Sequence, residues 1–128
     1  MKSILIFSIF LSIAIASCGK KQSLKAMHDT PSNLVNAIFD AAKSGDLSSL
    51  SDICPPNGEC DSDSKDICNA ANEHTEEFKH YFSKGKIVGD PVISGDQAEV
   101  HIKFGPDGET EETINLIKID GKWYLKSL

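Results

Sequence analysis

The spacing of hydrophobic and polar positions changes once along this chain. From Thr30 to about Ser83 apolar residues recur at helical intervals. From Lys86 to the end they alternate with a period of two. Thr30-Pro31 reads as a helix start, with Thr as the N-cap and Pro at the first helical position. Leu34, Val35, Ile38, Phe39 and Ala42 then form one stripe, and Gly45 after Ser44 is the stop. Asp46 starts a short second helix carrying Leu47, Leu50 and Ile53, which Pro55-Pro56 ends. After a loop over 57–61, a third helix is expected from Ser62 or Asp63 to about Ser83. Its stripe is Cys68, Ala71, Thr75, Phe78 and Phe82, flanked by Ile67, His74 and Tyr81, with Gly85 as its cap.

The second half predicts four strands. Ile87 to Ile93 is the first, interrupted by Gly89-Asp90-Pro91, and a Pro there suits an edge or a bulge. Ser94-Gly95-Asp96 turns the chain. Ala98, Val100, Ile102 and Phe104 then face one way, while Gln97, Glu99, His101 and Lys103 face the other. That is the signature of a half-buried antiparallel strand. Gly105-Pro106-Asp107-Gly108 turns into a strand over 109–119. Asp120-Gly121 suits a tight hairpin into 122–128, with Trp123 and Leu125 on the core face. Helices followed by a meander predict an α+β domain, three helices packed on one face of a curved four-stranded antiparallel sheet.

The first residues have a different pattern. Met1-Lys2-Ser3 is a short positive start, and Ile4 to Ala16 is an uncharged apolar run. As a helix that run rises only about 20 Å, short of a hydrocarbon core of about 30 Å. It fits the apolar region of a secretory signal peptide over 1–17. Ile15-Ala16-Ser17-Cys18 then resembles the lipobox of bacterial lipoproteins. The resemblance implies that Cys18 is lipidated and becomes the mature N-terminus, anchoring the chain in the cell envelope. Two or more acyl chains make such an anchor stable. Ile and Ser stand where Leu and Gly or Ala are commoner. Gly19, rather than Asp, follows the cysteine, which by the same analogy points to an outer membrane where the cell has one. Residues 18–29 read as the lipidated cysteine and a flexible tether, leaving 30–128 as a single domain.

Residues 31–128 also resemble small bacterial lipoproteins with a nuclear-transport-factor-2-like, cystatin-like domain. The resemblance rests on Ala41-Ala42-Lys43-Ser44-Gly45-Asp46, on Gln97-Ala98-Glu99-Val100-His101-Ile102, and above all on the ending Ile114-Asn115-Leu116-Ile117-Lys118-Ile119-Asp120-Gly121-Lys122-Trp123-Tyr124, a strand, Asp-Gly-Lys-Trp and a strand. These segments specify a fold, and the same fold hosts enzymes, binders and scaffolds.

Candidate chemistry is sparse. Cys54, Cys60 and Cys68 remain after lipidation, and an oxidising envelope favours one disulfide with one thiol over. Cys54–Cys68 would staple two helices and is the preferred pair. Cys54–Cys60 would close only the Pro-Pro-Asn-Gly-Glu loop, and Cys60–Cys68 is the third alternative. The Cys-x5-Cys-x7-Cys spacing does not suit a zinc site. Asp61-Ser62-Asp63-Ser64-Lys65-Asp66 departs from a calcium loop at its third ligand, its glycine and its terminal Glu. His74, Glu77 and His80 lie along a helix without the second motif that a di-iron site requires. No metal, cofactor or catalytic residue is assigned.

Composition narrows the partners. The 128 residues carry a net charge of −6, and the 13 basic residues are all lysine. An acidic chain without arginine is not built for nucleic acid. The inward set, Phe39, Phe78, Phe82, Val100, Ile102, Phe104, Trp123 and Leu125, is apolar, with Tyr81 and Tyr124 its nearest polar aromatics. A cavity there would be apolar and better suited to holding a ligand than to acid–base work. The expectation is a non-catalytic, lipid-anchored domain that binds a small apolar ligand or an envelope protein. The alternative is an enzyme with a diverged pocket of the isomerase, dehydratase or hydrolase type.

Overall fold

The computed structural model describes residues 24–128. The expected signal peptide, lipobox and lipidated Cys18 lie outside them. Among the described residues four α-helices precede five strands: α1 Leu24–Met27, α2 Pro31–Ser44, α3 Ser62–Cys68, α4 Thr75–Phe82, then β1 Lys86–Ile87, β2 Val92–Ser94, β3 Gln97–Phe104, β4 Thr110–Ile119 and β5 Lys122–Ser127. The α+β architecture is as expected.

Helix α2 has the expected ends. Thr30 Oγ1 accepts a hydrogen bond from Asn33 N at 3.1 Å, and Gly45 closes the helix in the left-handed region. Leu34, Val35, Ile38 and Phe39 are fully buried beneath it. The second expected helix shrinks to a single 3-10 turn at Leu50–Asp52, though Leu47, Leu50 and Ile53 do face the core. Three Ser and two Asp in eight residues offer the backbone competing hydrogen bonds, as when Asp46 Oδ1 accepts from Ser48 N and Ser48 Oγ.

The third expected helix is two. α3 stops at Cys68, and α4 restarts at Thr75 after His74, whose φ is 58°. The break resets the helical phase, so Ala70 is buried and Ala71 is exposed, against the single-stripe reading. Thr75 Oγ1 donates to Ala70 O at 2.6 Å and holds the corner. Gly85 is not a left-handed cap. It is buried beneath Phe39, whose ring a Cβ at this position would strike.

The sheet is antiparallel throughout, in the order β1-β3-β4-β5, with β2 also paired to β3. β1 and β2 are two halves of one edge strand, parted at Gly89-Asp90-Pro91, so five strands make a sheet four wide. Ala98, Val100 and Ile102 of β3 are buried, while Gln97, Glu99 and His101 are exposed. Asp120 and Gly121 both have positive φ, at 50° and 78°, the backbone that a right-twisted two-residue hairpin demands. Trp123 and Leu125 join the core, and Tyr124 is buried on the opposite side of β5.

The tether reading is corrected at its C-terminal end. Met27 and His28 are buried, and the free edge of β5 is covered by the first half of the chain. Trp123 N donates to His28 O at 3.0 Å, and Leu125 N donates to Ile53 O at 2.9 Å. The domain therefore begins no later than α1. Periodicity missed this because four residues are too few to show a stripe.

Candidate functional site

The site is built from the parts that the helix break rearranges. α3 and α4 stand at one open end of the layer between helices and sheet. Between them, the end of β3 and the C-terminus lies a cleft of about 450 Å³. Its floor is apolar: Ile67, Phe78, Phe82, Phe104 and Leu128. Phe82 organises this floor, with ring centroids 5.0 Å from Phe78, 5.2 Å from Phe104 and 6.5 Å from Phe39. Such tilted and offset pairs suit the ring quadrupoles. Phe104 is only half-buried, so aromatic surface remains open to the cleft.

The rim is ionisable. Asp63 and Asp66 come from α3, Glu77 and Tyr81 from α4, Glu112 from β4, and His74 from the corner between the helices. His74 Nδ1 lies 3.5 Å from Glu77 Oε2, and both side chains are 65 % exposed. Four carboxylates face a single imidazole, and no lysine lines the cleft. Water reaches every rim group, so the field is screened but keeps its sign.

The sequence places His74 and Tyr81 on the flank of one long helix; the structure puts His74 at the corner that starts α4 and Tyr81 on α4 itself. Exposure is as expected, but His74 and Tyr81 converge with Asp63, Asp66, Glu77 and Glu112 on one cavity. Only the left-handed corner at His74 brings α3 and α4 to face the same space, and no periodicity signals that corner. Tyr124 lies elsewhere, against His28 at 4.7 Å between ring centroids. A second depression of about 730 Å³ borders those two residues and Pro55-Pro56, without an aromatic floor of comparable extent.

The cysteines pair as preferred. Cys54 and Cys68 form a disulfide, with Cα atoms 6.1 Å apart, and Cys60 is free. The bridge ties the C-terminal end of α3, a wall of the cleft, to the segment after the 3-10 turn. Asp61 ties the other end. Its Oδ1 accepts from Ser64 N at 2.8 Å as the N-cap, and its Oδ2 accepts from Leu128 N at 3.2 Å. Burial pushes the Cys60 thiol pKa up, with Lys65 acting against that shift and Asp61 adding to it. Among the described residues no three His, Cys, Asp or Glu side chains gather to hold a metal ion. Among the same residues no helix is long and apolar enough to cross a membrane.

No family model matches the sequence, and no curated protein matches it. Among solved structures the chain is similar to a Campylobacter jejuni protein that carries the provisional name NTF2-like transpeptidase, NTF2 being nuclear transport factor 2. The two share 18% identity and a TM-score of 0.50, over 77% of this chain and 98% of that one. At that identity the likeness concerns the fold. The domain has an NTF2-like α+β fold, and its cleft lies at the open end between helices and sheet.

Proposed function

We propose that this chain is a lipid-anchored protein of the cell envelope whose domain binds a small amphipathic ligand in the cleft between α3 and α4. One observation carries the binding reading. An aromatic floor of buried Phe78 and Phe82 and half-buried Phe104 sits under a rim of four carboxylates. The floor offers apolar area, worth about 25 cal/mol per Å² covered. The rim favours a positive group at the ligand's exposed end. This refines the expectation of a purely apolar ligand. The anchor rests on Ile15-Ala16-Ser17-Cys18 and the apolar run before it.

A catalytic reading has one observation in its favour, the approach of His74 to Glu77 beside Tyr81. The name of the Campylobacter neighbour does not strengthen it. Transpeptidation through a covalent acyl-enzyme uses a serine, threonine or cysteine nucleophile activated by a base, and none of these lines the cleft. The open, wet rim also suits recognition better than acid–base work, which favours water-poor surroundings.

The test compares two probes of one shape and opposite charge, tryptamine and indole-3-acetate, titrated against the full chain with NMR detection. Tryptamine should bind more tightly, with shifts confined to α3, α4 and the end of β3. Phe104→Ala should weaken it roughly tenfold, by loss of aromatic contact. Glu77→Gln with Asp66→Asn should narrow the gap between the probes. Equal, absent or scattered binding of the two probes would reject the ligand reading.

A further inference from the structure

The free thiol does not stand apart from the disulfide. Cys60 Sγ lies 3.6 Å from Cys54 Sγ, within van der Waals contact, while Cys54 is bonded to Cys68. Cys54 is thus the shared member of a three-sulfur cluster. The loop between Cys54 and Cys60 is folded so that this contact forms. Gly58 N donates to Pro55 O at 3.0 Å, Glu59 N to Asn57 Oδ1 at 3.0 Å, and Cys60 N to Gly58 O at 3.0 Å. Cys54 and Cys60 are both half-buried, so solvent and base reach them, whereas Cys68 is 8% exposed and sits in the core. Cys54 Sγ also lies 3.3 Å from Ser64 O of α3.

We propose that these cysteines form an intramolecular exchange relay, in which the bridge moves from Cys54–Cys68 to Cys54–Cys60 and unfastens helix α3 from the segment behind it. The step is self-contained. Cys60 gives its proton to water or buffer base, and its thiolate attacks Cys54 Sγ. The Cys54–Cys60 bond forms as the Cys54–Cys68 bond breaks, and Cys68 leaves as a thiolate that takes up a proton. One thiol and one disulfide enter, and one thiol and one disulfide leave, so no oxidant or reductant is consumed. Thiolate is the attacking species. The groups bearing on it are Asp61 beside it in sequence and Lys65 on α3.

The consequence reaches the cleft. Cys68 is the last residue of α3, and Asp63, Asp66 and Ile67 of that helix line the cavity. In the first pairing the bridge clamps α3 at its C-terminal end. In the second it closes only the Pro55–Glu59 loop, and α3 keeps its Asp61 cap alone. The relay does not depend on what the cleft binds.

The full oxidised chain is incubated at pH 8.5 without added thiol, quenched in acid, alkylated and mapped without reduction. Wild type should yield both bridges, with roughly one molecule in ten or more carrying Cys54–Cys60 and a free Cys68. Cys60→Ser should yield Cys54–Cys68 alone, and Cys68→Ser should close Cys54–Cys60 in a glutathione buffer. Amide exchange across α3 should be roughly tenfold faster in Cys68→Ser than in Cys60→Ser. Wild type that keeps Cys54–Cys68 throughout, with only Cys60 alkylated, would overturn the relay whatever the variants do. Equal exchange rates across α3 would overturn its link to the cleft wall.

Discussion

His28 and Trp123, 95 residues apart, hold each other from both sides of the backbone. His28 Nδ1 donates to Trp123 O at 2.7 Å, and Trp123 N donates to His28 O at 3.0 Å. A carbonyl only accepts, so this contact places the ring proton on Nδ1. The pair adds a strand-like rung to the edge of β5, and the His28 ring covers Tyr124. An otherwise open sheet edge is thereby blunted. Replacing His28 by Ala should cost about 1–3 kcal/mol, through a lost buried hydrogen bond and lost cover. Urea midpoints measure it. A chain starting at Thr30 should lose at least as much stability as His28→Ala relative to one starting at Leu24, and equal stability would return the boundary to Thr30.

Gly85 is expected to tolerate no side chain. A Cβ there would run into the ring of Phe39, which is itself fully buried. Gly85→Ala should therefore destabilise by about 1–3 kcal/mol, as overpacking does. The sign of the cause is testable in a double variant. Phe39→Leu removes the ring, so its combination with Gly85→Ala should cost less than the sum of the two singles. Additive losses would show that the collision is relieved some other way.

Much of the frame was legible because it follows from local chemistry. Thr30-Pro31, the β3 alternation and Asp120-Gly121 each specify their own backbone, and each appears where expected. The break between α3 and α4 was not legible. Cys68, Ala71, Thr75, Phe78 and Phe82 fit one stripe closely enough to hide the phase change at residues 69–74. Asn69 and Asn72, poor helix formers, were the available signal. The cleft needed more than local reading. Glu112 comes from β4 and Leu128 from the chain end, and neither has a periodicity that links it to His74. Long-range convergence of solvated side chains leaves no mark on the hydrophobic pattern.

Ser64 is the opposite of a functional polar group. Its side chain is fully buried in α3, and its Oγ has no hydrogen-bond partner among the described residues. A buried hydroxyl left unpartnered carries its desolvation cost without return. Ser64→Ala should leave stability unchanged or raise it by about 1 kcal/mol. A loss of 1 kcal/mol or more in thermal or urea unfolding would mean that the hydroxyl has a partner, with bound water the first place to look.

The burial of Met27 and His28 also changes what the proposed anchor implies. With α1 beginning at Leu24, only residues 19–23 separate the domain from Cys18. Fully extended, five residues span roughly 17 Å, about half the reach of a tether that runs to Asp29. The domain should therefore stay close to the headgroups. Cys18→Ala should abolish acylation and move the protein from the membrane to the soluble fraction. Retention of that variant in the membrane, with no lipid on any peptide, would refute the anchor. In the lipidated wild type, a fluorophore on the exposed Lys122 side of the β4–β5 hairpin should transfer energy efficiently to labelled headgroups. Lengthening the 19–23 segment with a flexible insert should reduce that transfer, because the reachable distance grows with linker length. No change on insertion would mean that something other than the short link sets the height of the domain.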